Sequence, residues 1–304
     1  MRICSLLPSA TEIVYALGLG DQLCGVSHEC DFPPEVAAKP TVIRSVFDPS
    51  TLSSLEIDRA VMERLRQGEG VYTIDLDRLQ QADPDLILTQ ELCDVCAIPY
   101  SEVKRAVEQL GRRPLLLPLS PTLLGDVLDD IRRVGEAAGR RKQAESLVAC
   151  LQSRIDGVAA VATSAAERPT TFCLEWADPL YVSGHWVPEM VELAGGTDGL
   201  GMKGKPSIPI EWDRVVRYAP DVVILMPCGF DVERTVRELP LLTRLAGWSD
   251  LPAVQRGRVY AVNGSAYFNR SGPRLVDGLE LLAKILHPEL FPGAILDGIA
   301  RQVC

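Results

Sequence analysis

Two cysteines three apart, Cys93 and Cys96, sit in the stretch "TQELCDVCAIPYS" directly behind the apolar run Leu86 to Leu88. Thiolates at that spacing chelate zinc or iron when two further ligands converge on them, and Cys30, His28 or Cys228 would have to supply those ligands. The same pair can instead cycle between dithiol and disulfide, or simply pack beside a loop. Cys30, Cys93 and Cys96 are therefore the candidate metal set, with redox chemistry and plain packing as the competing readings. The remaining thiols have an ordinary explanation as small buried groups, Cys4, Cys24 and Cys173 in strands and Cys150 on a long helix.

A second group of residues collects where apolar runs give way to polar loops. In the first part of the chain these loops are "SHECDFP" after 22 to 27 and "RS" at 44 and 45; in the second they are "EWADPLY", "SGHW", "PCGF" and "SAYFNR". Open parallel sheets bind ligands beyond the carboxyl ends of their strands, which makes His28, Glu29, Arg44, Glu175, Trp176, Tyr181, His185, Trp186, Tyr267, Asn269 and Arg270 the candidate ligand-binding residues. Aromatics placed in polar loops suit a wide, flat ligand, and equally a core position. Either histidine alone is as readily a hydrogen-bonded loop residue as a ligand. No G-x-S-x-G or H-E-x-x-H pattern marks a catalytic centre. The glycine-rich "GLGMKGKPS" at 199 to 207 lacks the preceding strand and following helix of a phosphate loop, and Pro206 stands where Ser or Thr is required. It reads as a flexible loop.

The elements that must hold these residues follow from periodicity. Strand-like runs at 2 to 7, 22 to 27, 40 to 43, 86 to 90 and 114 to 119 alternate with helical patterns near 10 to 17, 52 to 67, 76 to 82 and 100 to 110, the grammar of an α/β layer. "SATE" at 9 to 12 has the form of a capping box, and Gly18 would close the helix it opens. From Leu123 to about Ala165 strand signals stop. Ala144, Leu147, Val148, Leu151, Ile155 and Val158 share one helical face, predicting a helix from about 141 to 163 that is about 34 Å long at the usual rise per residue. Strand signals resume at 171 to 176, 180 to 183, 222 to 226 and 258 to 262, with a closing helix from about 273 to 286. "IDLDRLQQADPDLIL" at 74 to 88 lines up with "IEWDRVVRYAPDVVI" at 210 to 224, and "EIVYALG" at 12 to 18 more faintly with "EMVELAG" at 189 to 195, so two related lobes are expected.

Composition bounds the function. A chain of 304 residues, 47% apolar, buries a substantial core. Its net charge of −10 opposes adsorption to nucleic acid or anionic lipid, and no apolar stretch approaches the roughly 20 residues that span a bilayer. The opening "MRICSLLPSATEIVYALG" does not follow the signal-peptide pattern, and nine scattered cysteines look unlike a disulfide framework. Both predict a cytoplasmic protein, or a periplasmic or extracellular one if an export segment was removed.

The order of segments resembles the cobalamin-binding and iron-siderophore-binding proteins of ABC importers, through "GVSHECDFPPEV", "LDRLQQADPDLIL", the long helix, "GHWVPEMVELAGG", "IEWDRVVRYAPDVVIL" and "FNRSGPRLVDGLELLAKIL". The resemblance covers nearly the whole chain. It implies an α/β fold of two Rossmann-like lobes joined by a single long rigid helix with a ligand cleft between the lobes: an N-terminal lobe at 1–120, a helical connector at 121–167 and a C-terminal lobe at 168–304. It implies a bulky metal chelate as ligand, such as a corrinoid or ferric siderophore, held without catalysis. Family members also carry a glutamate on each lobe that docks on permease arginines; the matching positions are Asp77 and Asp213. On this reading Trp176, Trp186 and Tyr267 cover the flat face of cobalamin or a related chelate, Arg44 and Arg270 meet polar groups at its rim, and His28 or a thiolate of Cys93 or Cys96 can ligate its metal axially. The alternative is a metal- or iron–sulfur-binding protein, or a thiol-dependent enzyme, using Cys30, Cys93 and Cys96 on the same scaffold.

Overall fold

The computed structural model describes residues 1–91, 97–296 and 298–304. In chain order the elements are β1 (Ile3–Ser5), α1 (Pro8–Ala16), β2 (Leu23–Ser27), β3 (Thr41–Ser45), α2 (Ser54–Arg66), β4 (Tyr72–Ile74), α3 (Leu76–Ala82), β5 (Leu86–Thr89), α4 (Tyr100–Glu108), β6 (Leu115–Pro118), α5 (Leu124–Ala137) and α6 (Arg141–Ala162). Then come β7 (Thr171–Ala177), β8 (Leu180–Val182), α7 (Val187–Leu193), β9 (Ile208–Pro209), α8 (Trp212–Tyr218), β10 (Val222–Leu225), α9 (Val232–Thr243), α10 (Pro252–Gln255), β11 (Val259–Val262), α11 (Gly264–Tyr267), α12 (Leu275–Leu286) and β12 (Ala300–Gln302). The chain divides into two α/β units. One comprises Met1–Pro121, Gly125–Cys150 and Ser271–Pro273; the other comprises Thr122–Leu124, Leu151–Arg270 and Arg274–Cys304.

The first unit is built on a sheet of order β4-β3-β2-β1-β5-β6, parallel except where β4 runs against β3. Central strands covered on both faces need apolar residues at every position, and β1 and β5 are buried along their whole length. Cys4, Leu6 and Ile87 pack with Leu79 of α3 and Val103, Ala106 and Val107 of α4. Strand order reverses between β1 and β5, so the carboxyl ends of these two strands form the switch point of the sheet.

The start of α1 differs from the expected one. Its N-cap is Leu7, with Pro8 in the first turn, and Ser9, Thr11 and Glu12 are buried within the helix instead of forming a box at its end. Proline's fixed φ favours the first helical position, which moves the start upstream. The capping box of this unit opens α2 instead, where Ser53 and Glu56 satisfy each other's backbone N–H groups. Gly18 does follow the helix, at φ +71°.

The second unit has sheet order β12-β11-β10-β7-β8-β9, in which β7, β10 and β11 are parallel and β8, β9 and β12 antiparallel to their neighbours. Its core gathers Phe172, Leu174, Val223 and Leu225 of the central strands with Val215 of α8, Leu242 of α9 and Trp248.

The repeated sequence segments adopt one local structure in both units. Helices α3 and α8 each end on a left-handed non-glycine residue before a proline, Asp83 at φ 39° and Ala219 at φ 50°. The aspartate after each proline then grips the start of the unit's first strand. Asp85 accepts from the Arg2 N–H (2.6 Å) and donates its own N–H to Arg2 O (2.8 Å). Asp221 accepts from the Thr170 N–H (3.0 Å) and donates to Thr170 O (2.8 Å). An arginine closes each clamp, Arg112 on Asp85 at 2.9 Å and Arg256 on Asp221 at 2.7 Å.

Helix α6, 22 residues long, buries Ala144, Val148, Leu151, Ile155 and Val158 as its periodicity predicts. Cys150 departs from expectation: it lies off that stripe and is exposed.

Candidate functional site

At the carboxyl end of β2 in the first unit, His28 is exposed while its main chain is fixed, the N–H donating to Ile43 O of β3 at 3.0 Å. Its Nδ1 lies 3.2 Å from the same carbonyl oxygen, and Ser27 Oγ is more distant at 3.5 Å. Tyr72 of β4 flanks the imidazole, ring centres 5.9 Å apart at 49°, and its hydroxyl donates to Glu29 Oε1 at 3.2 Å. Sequence periodicity misses β4, a three-residue strand paired with β3, and so misses Tyr72.

Cys30 folds back on the same turn through its N–H to Ser27 O (3.0 Å), and its sulfur sits 3.1 Å from Thr11 Oγ1. Thr11 donates in turn to Ser5 Oγ at 2.8 Å, so the thiol ends a short chain of buried hydroxyls. Arg44 is exposed on β3 and Asp77 is exposed in the first turn of α3. Cys93 and Cys96 lie outside the described residues. Among the described residues, no group of three or more His, Cys, Asp or Glu side chains is placed to hold a metal.

In the second unit the rim is aromatic. A register shift in the β7–β8 pairing between Leu174 and Trp176 re-aims the strand at this point. Trp176 is half-buried, packs on Phe230 at 5.3 Å and 48°, and donates its indole N–H to Asp178 O at 3.1 Å. Arg234 covers Phe230, its guanidinium carbon 4.7 Å from the ring centre, and pairs with the nearly buried Glu238 at 3.4 Å. Asp231 fixes the start of α9 by accepting the Arg234 N–H at 2.7 Å. Glu175 and Tyr181 are half-buried beside Trp176, Tyr181 as its cross-strand partner. Phe230 and Arg234 carry no sequence signal as a pair, because their stacking depends on where α9 begins.

The "SGHW" segment behaves differently from its expectation. Because β8 runs antiparallel to β7, its carboxyl end does not share the edge reached by β7, β10 and β11. Trp186 is buried and its indole N–H donates to Phe268 O at 2.8 Å, anchoring the segment to the loop after β11. His185 takes a left-handed backbone (φ 50°), with its N–H on Lys205 O (2.5 Å) and its carbonyl accepting from Gly204 N–H (2.8 Å). Burial lowers its pKa, which favours the neutral imidazole. Tyr267, Asn269 and Arg270 are half-buried around α11. Arg274 lies 5.8 Å over the Tyr267 ring, and Asn269 donates its N–H to Gly264 O at 2.9 Å. Asp213 is exposed in the first turn of α8.

The glycine-rich loop is pinned, contrary to its reading as flexible. Asp198 Oδ1 accepts from Leu200 N–H (3.0 Å) and Gly201 N–H (2.8 Å), and Gly199 N–H donates to the Tyr218 hydroxyl (2.9 Å). Amides that would meet a phosphate are engaged by the protein's own carboxylate and phenol. Burial raises the Asp198 pKa against the lowering effect of those two N–H groups.

Comparisons with known proteins agree with this architecture. Residues 3–266 match the periplasmic binding protein family, and the chain belongs to that family. It is 26% identical to the uncharacterized ABC transporter substrate-binding lipoprotein YvrC of Bacillus subtilis, over 95% of this chain and 81% of the relative. It is 24% identical to the vitamin B12-binding protein of Vibrio cholerae, over 94% and 88%. The periplasmic heme-binding protein RhuT of Roseiflexus sp. RS-1 shares its fold, with a TM-score of 0.69 at 21% identity, over 95% of this chain and 98% of that one. The family is one of substrate-binding proteins and not of enzymes. These findings correct the expectation of a cytoplasmic protein, because the family is periplasmic or lipoprotein-anchored. The thiols misled: Cys4 and Cys173 are fully buried strand residues whose pKa burial raises, and such residues report packing and not redox compartment.

Proposed function

We infer, from membership of the periplasmic binding protein family, that this chain binds a corrinoid or a related flat metal chelate such as heme and delivers it to an ABC permease. The observation that carries the reading is the half-buried Trp176 backed by Phe230 and Arg234, an aromatic surface held in place from behind at the carboxyl edge of the second sheet. A flat macrocycle gains both area burial and stacking from such a surface, the latter about 0.5–1.5 kcal/mol beyond the area.

Tyr181 and Tyr267 extend the apolar area, while Glu29, Glu175, Asn269, Arg44 and Arg270 orient the polar edge groups of the ligand. The buried Trp186 acts as the anchor of its loop. Segment 121–167 serves as the connector between the lobes at 1–120 and 168–304. Asp77 and Asp213 keep the carboxylate charge of the docking glutamates at equivalent, exposed helix starts, and we assign them to permease recognition. The names of the vitamin B12-binding and heme-binding relatives support this ligand class.

The test is a titration of the purified chain with cobalamin and with hemin, following tryptophan emission and the visible spectrum. Saturable quenching by at least one chelate supports the reading; quenching by neither removes it.

A further inference from the structure

We propose that His28 coordinates the metal of the bound chelate through Nε2, which restricts the ligand to chelates whose metal keeps an exchangeable axial position. The inference deepens the function proposed above and rests on it.

One contact fixes the ring tautomer. A carbonyl oxygen can only accept, so the 3.2 Å contact between Nδ1 and Ile43 O puts the ring proton on Nδ1 and leaves the lone pair on Nε2. The same carbonyl takes the His28 main-chain N–H at 3.0 Å, which fixes backbone and ring against one group. Tyr72, itself bonded to Glu29 through its hydroxyl, flanks the ring at 5.9 Å. The imidazole stays exposed at the carboxyl end of β2. Imidazoles that bind metals have this form, with one nitrogen donating to a carbonyl and the other turned to the metal.

The other two histidines differ. His287 is buried with Nε2 on Gly195 O at 3.1 Å, and His185 is held through its main chain, with its ring against Trp186 at 5.5 Å. The Cys30 sulfur is already against the Thr11 hydroxyl.

Coordination is a ligand exchange. The water on the metal leaves with its electron pair, the Nε2 pair takes its position, and no oxidation state changes. Cobalt and iron both accept imidazole. A hexadentate siderophore fills every position on its iron and gains nothing from His28, so the site favours corrinoids and hemes over ferric siderophores.

Full-length chain titrated with aquocobalamin, cyanocobalamin, hemin and a ferric tris-hydroxamate separates the possibilities, with tryptophan emission reporting binding and the visible bands reporting coordination. The wild type is expected to shift the bands of bound aquocobalamin or hemin. His28→Ala and His28→Gln are both expected to abolish the shift and to weaken that chelate by about tenfold or more. Quenching without a band shift, a shift of equal size in both variants, or preference for the tris-hydroxamate overturns the inference and leaves the proposed function standing. Absence of quenching by every probe removes the proposed function and this inference with it.

Discussion

The two α/β units share a frame and differ at their rims. Each grips its first strand with a Pro-Asp-arginine clamp, through Asp85 and Arg112 in one and Asp221 and Arg256 in the other. At the carboxyl ends of the strands the likeness stops. The first unit presents an imidazole and a half-buried thiol backed by buried hydroxyls, whereas the second presents Trp176 on Phe230 with Arg234 behind. The shared part holds the first strand of each sheet in place. The candidate ligand residues lie in the part that diverged, His28 in the first unit and Trp176 in the second.

The largest expected effect tests the shared frame. Ile87 of β5 and Ile224 of β10 are both fully buried, and replacing either with alanine leaves a cavity that costs about 2–5 kcal/mol. Urea denaturation followed by circular dichroism should find both losses in that range; a small loss at one site alone breaks the equivalence of the frames. Next comes the divergent part. Trp176→Ala should weaken the chelate by about 2 kcal/mol, roughly thirtyfold, in a fluorescence or calorimetric titration.

Two carboxyl groups, one in each unit, are raised by burial and give smaller effects. Asp198→Ala removes the acceptor of two loop amides and should cost about 1–2 kcal/mol in thermal unfolding, with Asp198→Asn milder because it keeps an acceptor oxygen. Asp130 on α5 is pushed up to about 6, mainly by burial and further by Asp126 and Asp129, against the pull of Arg133. Arg133 bonds Asp130 at 2.6 Å and donates to the carbonyl of Pro118 on the edge strand β6 at 2.8 Å. With the folded pKa above the unfolded one, the native state holds the proton more tightly, so Asp130 makes stability fall as pH rises from about 4 to about 6. Asp130→Asn should flatten that part of a Tm-against-pH curve; an unchanged slope contradicts the assignment. The smallest effect is expected at Asp77→Lys and Asp213→Lys, within about 0.5 kcal/mol in stability and with unaltered chelate binding, while transport in a reconstituted importer is lost.

How much of this was legible in the sequence depended on where each interaction partner lies. The segment from Leu76 to Thr89 could be read because its helix, proline break and strand are all local, and its echo at 212 to 225 doubled the signal. Strands β4, β9 and β12 could not, being two or three residues long and defined by the strands they pair with. The start of α1 was misplaced because Pro8 outranks a nearby Ser-x-x-Glu pattern. Trp176 and Tyr181 stood out as aromatics in polar surroundings, while Arg234 looked like any helical arginine until Phe230 lay beneath it. The proton position on His28 was beyond reach, since the group that decides it is a carbonyl on another strand.

The central claim is that Trp176, backed by Phe230 and Arg234, recognises a flat metal chelate. Its most direct test is calorimetric titration of the wild-type chain and of Trp176→Ala with cobalamin and hemin. The account predicts saturable single-site binding of at least one chelate that is markedly weaker in the variant; heats indistinguishable from dilution for both chelates, or equal affinity in the variant, would contradict it.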